Sequence, residues 1–257
     1  MIKIGSPMFI LRDECKKDLM EVIERLAEIE YDGIEFLGFF GHKPSEIKKK
    51  LDTCGLKAIG DHVPYVEFSE NVNKVIDEHK EIGCKYITVS PPGVDGFPGG
   101  PEYKHTLETF HMLGEAMNAA GMKLLYHNHA EELRNVVDGK AILEHIFDDT
   151  PSDVLYCELD LGWINIGGGD PFYYLEKYGN RCPVVHFKDY IPAENDSGFL
   201  FRPTGYGVMN NAELYSKVIH YKPDWIVMDH DCAYDRDIYY DLDISLRYFK
   251  NLIEVTK

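Results

Sequence analysis

The sequence predicts a closed (β/α)₈ barrel, built as a single domain over residues 1–257. Short apolar runs alternate with amphipathic stretches along the whole chain, which implies parallel strands joined by right-handed crossovers. Eight such units can be counted, and 257 residues is a typical length for an eight-unit barrel. A doubly wound sheet is the runner-up, but no Gly-x-Gly-x-x-Gly motif opens the first unit, and no linker or change of composition divides the chain.

The strands are predicted where apolar and β-branched residues run together. They cover residues 2–6, 33–37, 57–62, 86–90, 123–129, 154–160, 183–189 and 225–230. Two long irregular stretches, residues 91–103 and 191–210, each follow a strand. In a barrel both would lie at the carboxyl end of the strands, and loops of this length are usually functional lids or disordered segments.

Seven or eight helices are predicted between the strands by apolar residues at helical spacing. The pattern over residues 16–30 places five apolar residues on one face: Leu19, Val22, Ile23, Leu26 and Ile29. A similar pattern over residues 107–121 stops at Gly121, because glycine is a common helix terminator. The last helix, over residues 243–255, presents Ile244, Leu246, Phe249 and Leu252.

Composition narrows the class of protein. The 44 acids and 27 bases give a net charge of −17, which repels a nucleic-acid backbone and favours solubility. The six cysteines form no Cys-x-x-Cys pair. No stretch resembles a signal peptide or reaches the roughly 18 apolar residues of a membrane span. We therefore expect a reduced, cytoplasmic protein with buried thiols that binds neither nucleic acid nor membrane.

Polar residues cluster where the predicted strands end. In a (β/α)₈ barrel the active site lies at this end of the strands. The residues are Glu35, Asp61, His62, His127, Asn128, His129, Glu131, Glu132, Glu158, Asp160, His186, Lys188, Asp189, Asp229, His230 and Asp231.

Strand alternation predicts which of these side chains point into the barrel. Glu158 and Asp160 share the face opposite the apolar residues of their strand, as do His186 and Lys188 of the next, and Glu35 points inward by the same test. Strands 123–129 and 225–230 are apolar on both faces, so alternation does not decide their orientation. In the second of these strands, alternation predicts only that Asp229 and Asp231 share one face and that His230 lies on the other.

Several acids and histidines at one barrel mouth, with few basic residues to balance them, predict a divalent cation, because a buried carboxylate is costly unless it is paired or bound to metal. Carboxylate and imidazole ligands suit Mn, Co, Mg or Zn. A lone histidine at a strand end is more often structural, and a single acid there can cap the next helix; Asp170 and Asp189 are candidates for caps. The prediction of a metal site therefore rests on the number of acids and histidines at the same end of the barrel, not on any one of them.

Five segments occur in the order of a known family: "YHNHAEE" (126–132), "ELDLGW" (158–163), "VVHFKD" (184–189), "TGYGVMN" (204–210) and "WIVMDHD" (225–231). From the second strand to the last helix, the chain resembles the sugar phosphate isomerase/epimerase group of the xylose-isomerase-like barrel superfamily. The resemblance implies one divalent metal held by Glu132, Asp160, His186 and Asp229. Asp229 stands where the family more often has Glu. The family's Gly-Glu-Gly loop reads "GYG" here, with Tyr206 in the acidic position and Asn210 where Asp is usual.

The resemblance also implies a small carbohydrate substrate, and it leaves a homo-oligomer open. The residues expected to bind substrate are Glu35, His62, His127, His129, Trp163 and Lys188. His127 and His129 could instead orient the metal ligands. Trp163 would stack on a sugar face or pack under the glycine-rich loop that follows it.

The leading functional hypothesis is a metal-dependent isomerase or epimerase that transfers a proton next to a carbonyl through an enediolate. The catalytic candidates are Glu132, Glu158, Lys188 and Asp229. Glu158 would be an acid or base, and Lys188 would neutralise the enediolate oxygen or balance Asp160 and Glu158. Three alternatives stay open: a lyase or dehydratase using the same enolate, a non-catalytic carbohydrate-binding barrel, and an endonuclease, which the charge of −17 argues against.

Overall fold

The computed structural model describes residues 2–89 and 93–256. Eight strands form a closed barrel in which every neighbouring pair is parallel, and the first strand pairs with the last, with Lys3 opposite Trp225. The strands are β1 (Lys3–Pro7), β2 (Gly33–Phe36), β3 (Lys57–Val63), β4 (Tyr86–Val89), β5 (Lys123–His127), β6 (Leu155–Asp160), β7 (Val184–Pro192) and β8 (Trp225–Asp229).

The predicted barrel is thus confirmed. Each predicted strand overlaps an observed strand, and the predicted ends differ from the observed ends by at most three residues. Ser90, the predicted end of the fourth strand, and Pro91 and Pro92, the start of the first predicted loop, lie outside the described residues.

The described residues contain more helices than predicted, because short helices follow several strands. They are α1 (Arg12–Glu28), α2 (Pro44–Cys54), α3 (Tyr65–Glu70), α4 (Val72–Ile82), α5 (Tyr103–Ala119), α6 (Glu131–Arg134), α7 (Ile142–Asp148), α8 (Leu161–Ile166), α9 (Pro171–Tyr178), α10 (Asn211–Val218) and α11 (Ile238–Val255). None of them is long and apolar enough to cross a membrane. All six cysteines are free, and four of them are buried.

The long loop predicted over residues 191–210 is partly regular, so that expectation was wrong for its first half. Strand β7 continues beyond the barrel to Pro192 and pairs with an antiparallel strand, Phe199–Arg202, to form a hairpin above the barrel mouth. A second small hairpin joins Val136–Val137 to Lys140–Ala141.

Two apolar cores hold the strands in place. The inner one fills the lower barrel with Ile59, Tyr86, Leu125, Val184, Trp225 and Val227. The outer one lies between the strands and the helices and contains the residues predicted to face outward: Ile34, Phe36, Leu155, Cys157, Leu159, Val185 and Phe187. Gly33 leaves room for the Trp225 ring, since a Cβ there would lie 2.7 Å from it. Above the inner core, the same inward face carries polar residues.

Candidate active site

Polar side chains from β2, β3, β5, β6, β7 and β8 meet at the barrel mouth beneath a cavity of about 230 Å³. The polar lining of the cavity is Glu35, His62, His127, His129, His186, Asp229 and Asp231, and its apolar wall includes Met8, Phe36, Leu37 and Pro64. Most of the polar groups are buried, so each of them needs a partner. The partners divide into two clusters.

The first, the imidazole cluster, surrounds Glu158. Oε1 of Glu158 lies 2.8 Å from Nε2 of His62 and 3.0 Å from Nδ1 of His127. Thr88 donates a hydrogen bond of 2.8 Å to the other oxygen. Burial raises the pKa of Glu158, but the positive charges of His62 and His186 outweigh this and hold the pKa well below its usual range. Glu158 therefore remains an anion below the cavity, where it orients imidazoles.

Two carboxylates hold a proton on His62. Its Nε2 lies between Glu158 and Oε2 of Glu35, at 2.8 and 3.2 Å. Burial lowers the pKa of His62, but these two charges raise it to about 10. His129 is the opposite case, because burial and the nearby Lys188 charge lower its pKa to about 4. The cavity thus offers a protonated and a neutral imidazole.

The second, the lysine–carboxylate cluster, surrounds Lys188, which is 1% exposed. Its Nζ lies 3.0 Å from Oδ2 of Asp160, 3.0 Å from Oδ2 of Asp229 and 2.6 Å from Oδ1 of Asp231. Burial raises the pKa of Asp160 to about 6, aided by the Asp229 charge and opposed by Lys188. One of the sequence alternatives had Lys188 balance Asp160 and Glu158; the ion pair with Asp160 is present, but the other partners of Lys188 are Asp229 and Asp231 rather than Glu158.

The residues of this cluster fit a divalent cation. His127, Asp160, His186 and Asp229 each offer a ligand atom, and these four atoms lie within 4.8 Å of one another. Within the described chain, Oδ1 of Asp229 is buried and accepts no hydrogen bond, and the buried Oδ2 of Asp160 forms an ion pair with Lys188. Lys188 and the His186 imidazole, which lies 3.1 Å from Asp229, face three carboxylates, so one negative charge has no counter-charge even when His186 is protonated. A divalent cation with oxygen and nitrogen ligands would supply that charge.

A second, competing ligand group consists of His62, His127, Glu158 and His186, whose ligand atoms also lie within 4.8 Å of one another. In that group, however, Glu158 already accepts hydrogen bonds from Thr88 and His127. The first group offers two carboxylates where the competing group offers one, so it fits a divalent cation better.

Glu132 is brought into neither of these groups. Its carboxylate accepts 2.9 Å hydrogen bonds from the hydroxyl of Tyr126 and from the backbone amide of His129. Tyr126 faces outward and packs against Phe110 and Phe147, so Glu132 is turned towards the helix layer. The side chain fixes the turn that carries His129. As a metal ligand, Glu132 remains a prediction that no contact supports, and His127 takes its place in the compact group.

Strand alternation did not predict which side chains of β5 and β8 point into the barrel, and the structure shows this for both strands. Tyr126 points outward and His127 inward; in β8, Asp229 points inward and His230 points outward, with its Nε2 3.5 Å from Asp241. Asn128 ties the ends of β5 and β6 together, since its side chain both accepts from and donates to the backbone of Asp160.

Aromatic residues form one wall of the mouth. The Trp163 ring contacts Phe199 and Phe201 of the hairpin in T-shaped, edge-to-face arrangements, at centroid distances of 5.8 and 5.4 Å. It also lies 5.6 Å from His129 and 4.9 Å from Nζ of Lys188. Sequence reasoning missed the two phenylalanines, although their alternation in "FLFR" was a signal for a short strand. Tyr206, by contrast, is 54% exposed.

Asp189 was a candidate helix cap, and that interpretation was wrong. It lies inside β7, fully buried, and its carboxylate accepts hydrogen bonds of 2.9–3.1 Å from five donors of the segment that follows: the backbone amides of Tyr190, Gly205, Gly207 and Met209 and the side chain of Asn211. A Cβ at Gly207 would lie 2.1 Å from Asp189, so only glycine fits there. Asp170 does cap α9, by accepting from Phe172. Asn210 caps α10.

We expect Asp189→Ala to release residues 204–211 from the barrel. Several buried amides would lose their acceptor, at a cost of about 1–3 kcal/mol for each one left unsatisfied. Hydrogen exchange measured by mass spectrometry should rise in this segment by at least about tenfold. Asp170→Ala is the matched control and should affect only the start of α9, by about 1 kcal/mol. Unchanged exchange in residues 204–211 would contradict the role assigned to Asp189.

Comparison with known proteins decides the family. A family model described as a xylose isomerase-like TIM barrel matches residues 23–247. The chain belongs to the xylose isomerase-like TIM barrel family. The resemblance seen in the sequence is therefore confirmed at this level.

Similar members of the xylose isomerase-like family differ in their named activities. An inosose dehydratase from Bacillus thuringiensis (strain Al Hakam) is 28% identical over 254 residues, which cover 84% of each chain. One from Geobacillus kaustophilus (strain HTA426) is 25% identical over 194 residues, which cover 66% of this chain but only 61% of that protein. A solved sugar phosphate isomerase/epimerase from Parabacteroides distasonis has a TM-score of 0.78 at 24% identity, covers 96% of this chain and 93% of its own, and shows the shared fold.

Proposed function

We propose that this chain is a divalent-metal-dependent enzyme that removes a proton from the carbon next to the carbonyl of a polyhydroxylated ketone and then expels a hydroxyl group as water. The observation that carries the proposal is the excess of carboxylates below the cavity, where Lys188 and the His186 imidazole face the buried Asp160 and Asp229 and the partly exposed Asp231. The similarity to inosose dehydratases over 84% of both chains favours elimination of water, which was an alternative in the sequence analysis, over isomerisation or epimerisation.

The residues that would hold the cation are His127, Asp160, His186 and Asp229. When bound there, a divalent cation would supply Lewis-acid stabilisation of negative charge on the substrate oxygen. Lys188 does not line the cavity, so its role is to hold the aspartates in position rather than to touch the substrate. Glu158 likewise orients His62 and His127 from below.

Two imidazoles reach the cavity without being needed as ligands. The carboxylates of Glu35 and Glu158 keep His62 protonated, so His62 is placed to donate a proton to the leaving hydroxyl. His129 has no acid within ion-pair distance among the described residues and is placed to accept the proton from carbon. The C–H electron pair then forms the new double bond as the C–O bond breaks, and the hydroxyl leaves as water with the proton from His62.

The remaining lining residues would shape the site for a ring-shaped polyol. Met8, Leu37 and Pro64 form an apolar wall. Trp163 is not part of the cavity lining but packs behind His129, at a ring distance of 5.6 Å. A substrate of the inosose kind, a cyclic ketone with several hydroxyl groups, has both a ring face and polar edges.

The test is the mass of the product. Protein reconstituted with Mn²⁺ or Co²⁺ and given an inosose is expected to yield a product lighter by one water, and His62→Gln should lower the turnover rate by about 100-fold or more. His105→Gln, on an exposed helix surface, is the control and should leave the rate unchanged. Conversion without loss of mass would identify the isomerase or epimerase of the leading sequence hypothesis instead. Failure of metal-loaded protein to convert any polyhydroxylated ketone would contradict the enzymatic proposal.

A further inference from the structure

A second and larger cavity, of about 600 Å³, lies at the opposite end of the barrel, where the strands begin. Four lysines line it: Lys3, Lys57, Lys85 and Lys222. Lys3 and Lys57 are the first residues of β1 and β3, and Lys85 directly precedes β4, so the barrel itself gathers them from distant parts of the chain. This cavity shares no lining residue with the cavity at the barrel mouth.

The positive charge of this cavity is unusual for the chain, which has 44 acids and 27 bases. Asp224 is the only acid in the described lining; it accepts a hydrogen bond from the hydroxyl of Tyr86 and keeps its negative charge, so four lysines face one carboxylate. None of the four lysines forms an ion pair with any residue in the described part of the chain. Other lysines do: Lys177, for example, pairs with Glu144 and Asp148. The four lysines are solvent-exposed, and the cavity carries an excess of positive charge on an acidic protein.

The floor and walls of the cavity are apolar. Trp225, which is 5% exposed, lies in the lining, and Nζ of Lys3 is 5.1 Å from the centre of its ring. Ile2, Ile219 and Ile253 belong to the apolar part, together with Ala58 and Pro223. A volume of this size falls within the range of roughly 300–1,000 Å³ that is usual for small-molecule sites, in which apolar walls and a few placed charges occur together.

We propose that this cavity binds a small organic anion with at least two negative charges, whose phosphate or carboxylate groups contact the lysines while its apolar part lies against Trp225 and the isoleucines. Lysine is a common partner for phosphate, which it binds as a point charge. The site is independent of the reaction proposed for the barrel mouth.

The test is a titration of the full-length protein at low salt by isothermal calorimetry, with inorganic pyrophosphate and, separately, citrate. We expect saturable binding of one anion per chain. Lys57→Gln/Lys85→Gln should weaken this binding roughly tenfold or more. The control, Lys74→Gln/Lys104→Gln, makes the same change of charge on exposed helix surfaces and should leave the affinity unchanged.

A spectroscopic readout locates the bound anion. The chain has two tryptophans, Trp163 and Trp225, so Trp163→Phe leaves Trp225 as the sole reporter. Its fluorescence should change with the same midpoint as the calorimetric titration. Binding of pyrophosphate alone would identify a phosphate site, and equal binding of citrate would identify a general polyanion site. Absence of saturable binding by both anions, or equal weakening in both lysine pairs, would overturn the proposal.

Discussion

Asp229→Asn is expected to remove the bound divalent metal and to lower turnover by at least about 100-fold, because a neutral amide is a poor replacement for a carboxylate at a cation. Asp229 offers one of four converging ligand atoms, and its Oδ1 accepts no hydrogen bond from the described residues. Metal content of the purified variant, measured by elemental analysis, is the readout. Asp229→Glu should retain the metal, since it restores the longer side chain that is more usual at this position in the family.

Asp231→Asn is the matched control for this prediction. Asp231 also contacts Lys188, at 2.6 Å, and its replacement changes the charge by the same amount, but it belongs to neither compact ligand group. We expect Asp231→Asn to keep its metal. Equal loss of metal from both variants would mean that net charge, rather than ligation by Asp229, controls metal binding.

The second large effect concerns Lys188, whose replacement by methionine is expected to destabilise the metal-free protein by about 3–5 kcal/mol at neutral pH. The reason is that the buried Asp160 and Asp229 and the partly exposed Asp231 would lose their only ammonium partner, which leaves the His186 contact of Asp229 as the remaining ion pair of Asp229. Saturating divalent metal should restore part of the loss, because a ligand that binds the folded state alone stabilises it. The free energy of unfolding, measured in urea with and without metal, gives both quantities.

Lys177→Met is the control for burial. Lys177 also bridges two acids, Glu144 and Asp148, at 2.8 and 3.1 Å, but its side chain is 28% exposed. Its loss should cost less than about 1 kcal/mol and should not respond to metal. If Lys188→Met lowered the free energy of unfolding no more than Lys177→Met, solvent would be screening the carboxylates of the cluster. The argument from charge imbalance would then fail.

The fold could be predicted from the sequence because the evidence for it is local and repeated. Each strand is a short apolar run, and each helix has its own apolar face. Alternation also placed Glu158, Asp160, His186 and Lys188 on the inner face, since the opposite face of each strand is plainly apolar. In β5 and β8 both faces are buried and apolar, as is usual for parallel strands, so the pattern carried no information there.

The details of the site were harder to predict because they depend on contacts between distant segments. The sequence could not show that Glu132 is held by the Tyr126 hydroxyl, or that His127 takes its place among the converging ligand atoms. The alternation in "FLFR" indicates a short strand, but the sequence could not show that this strand pairs with β7 and brings Phe201 beside Trp163. The lysines of the second cavity went unnoticed for the same reason, since they come together only when the barrel closes.

The most direct test of this account is a crystal structure of protein grown with Mn²⁺, with anomalous diffraction used to locate the ion. The account predicts a single strong peak at the barrel mouth, ligated by Asp160 and Asp229 together with His127 and His186. A peak among His62, Glu158 and the histidines of the competing group, a peak at Glu132, or no peak at the mouth at all would contradict it.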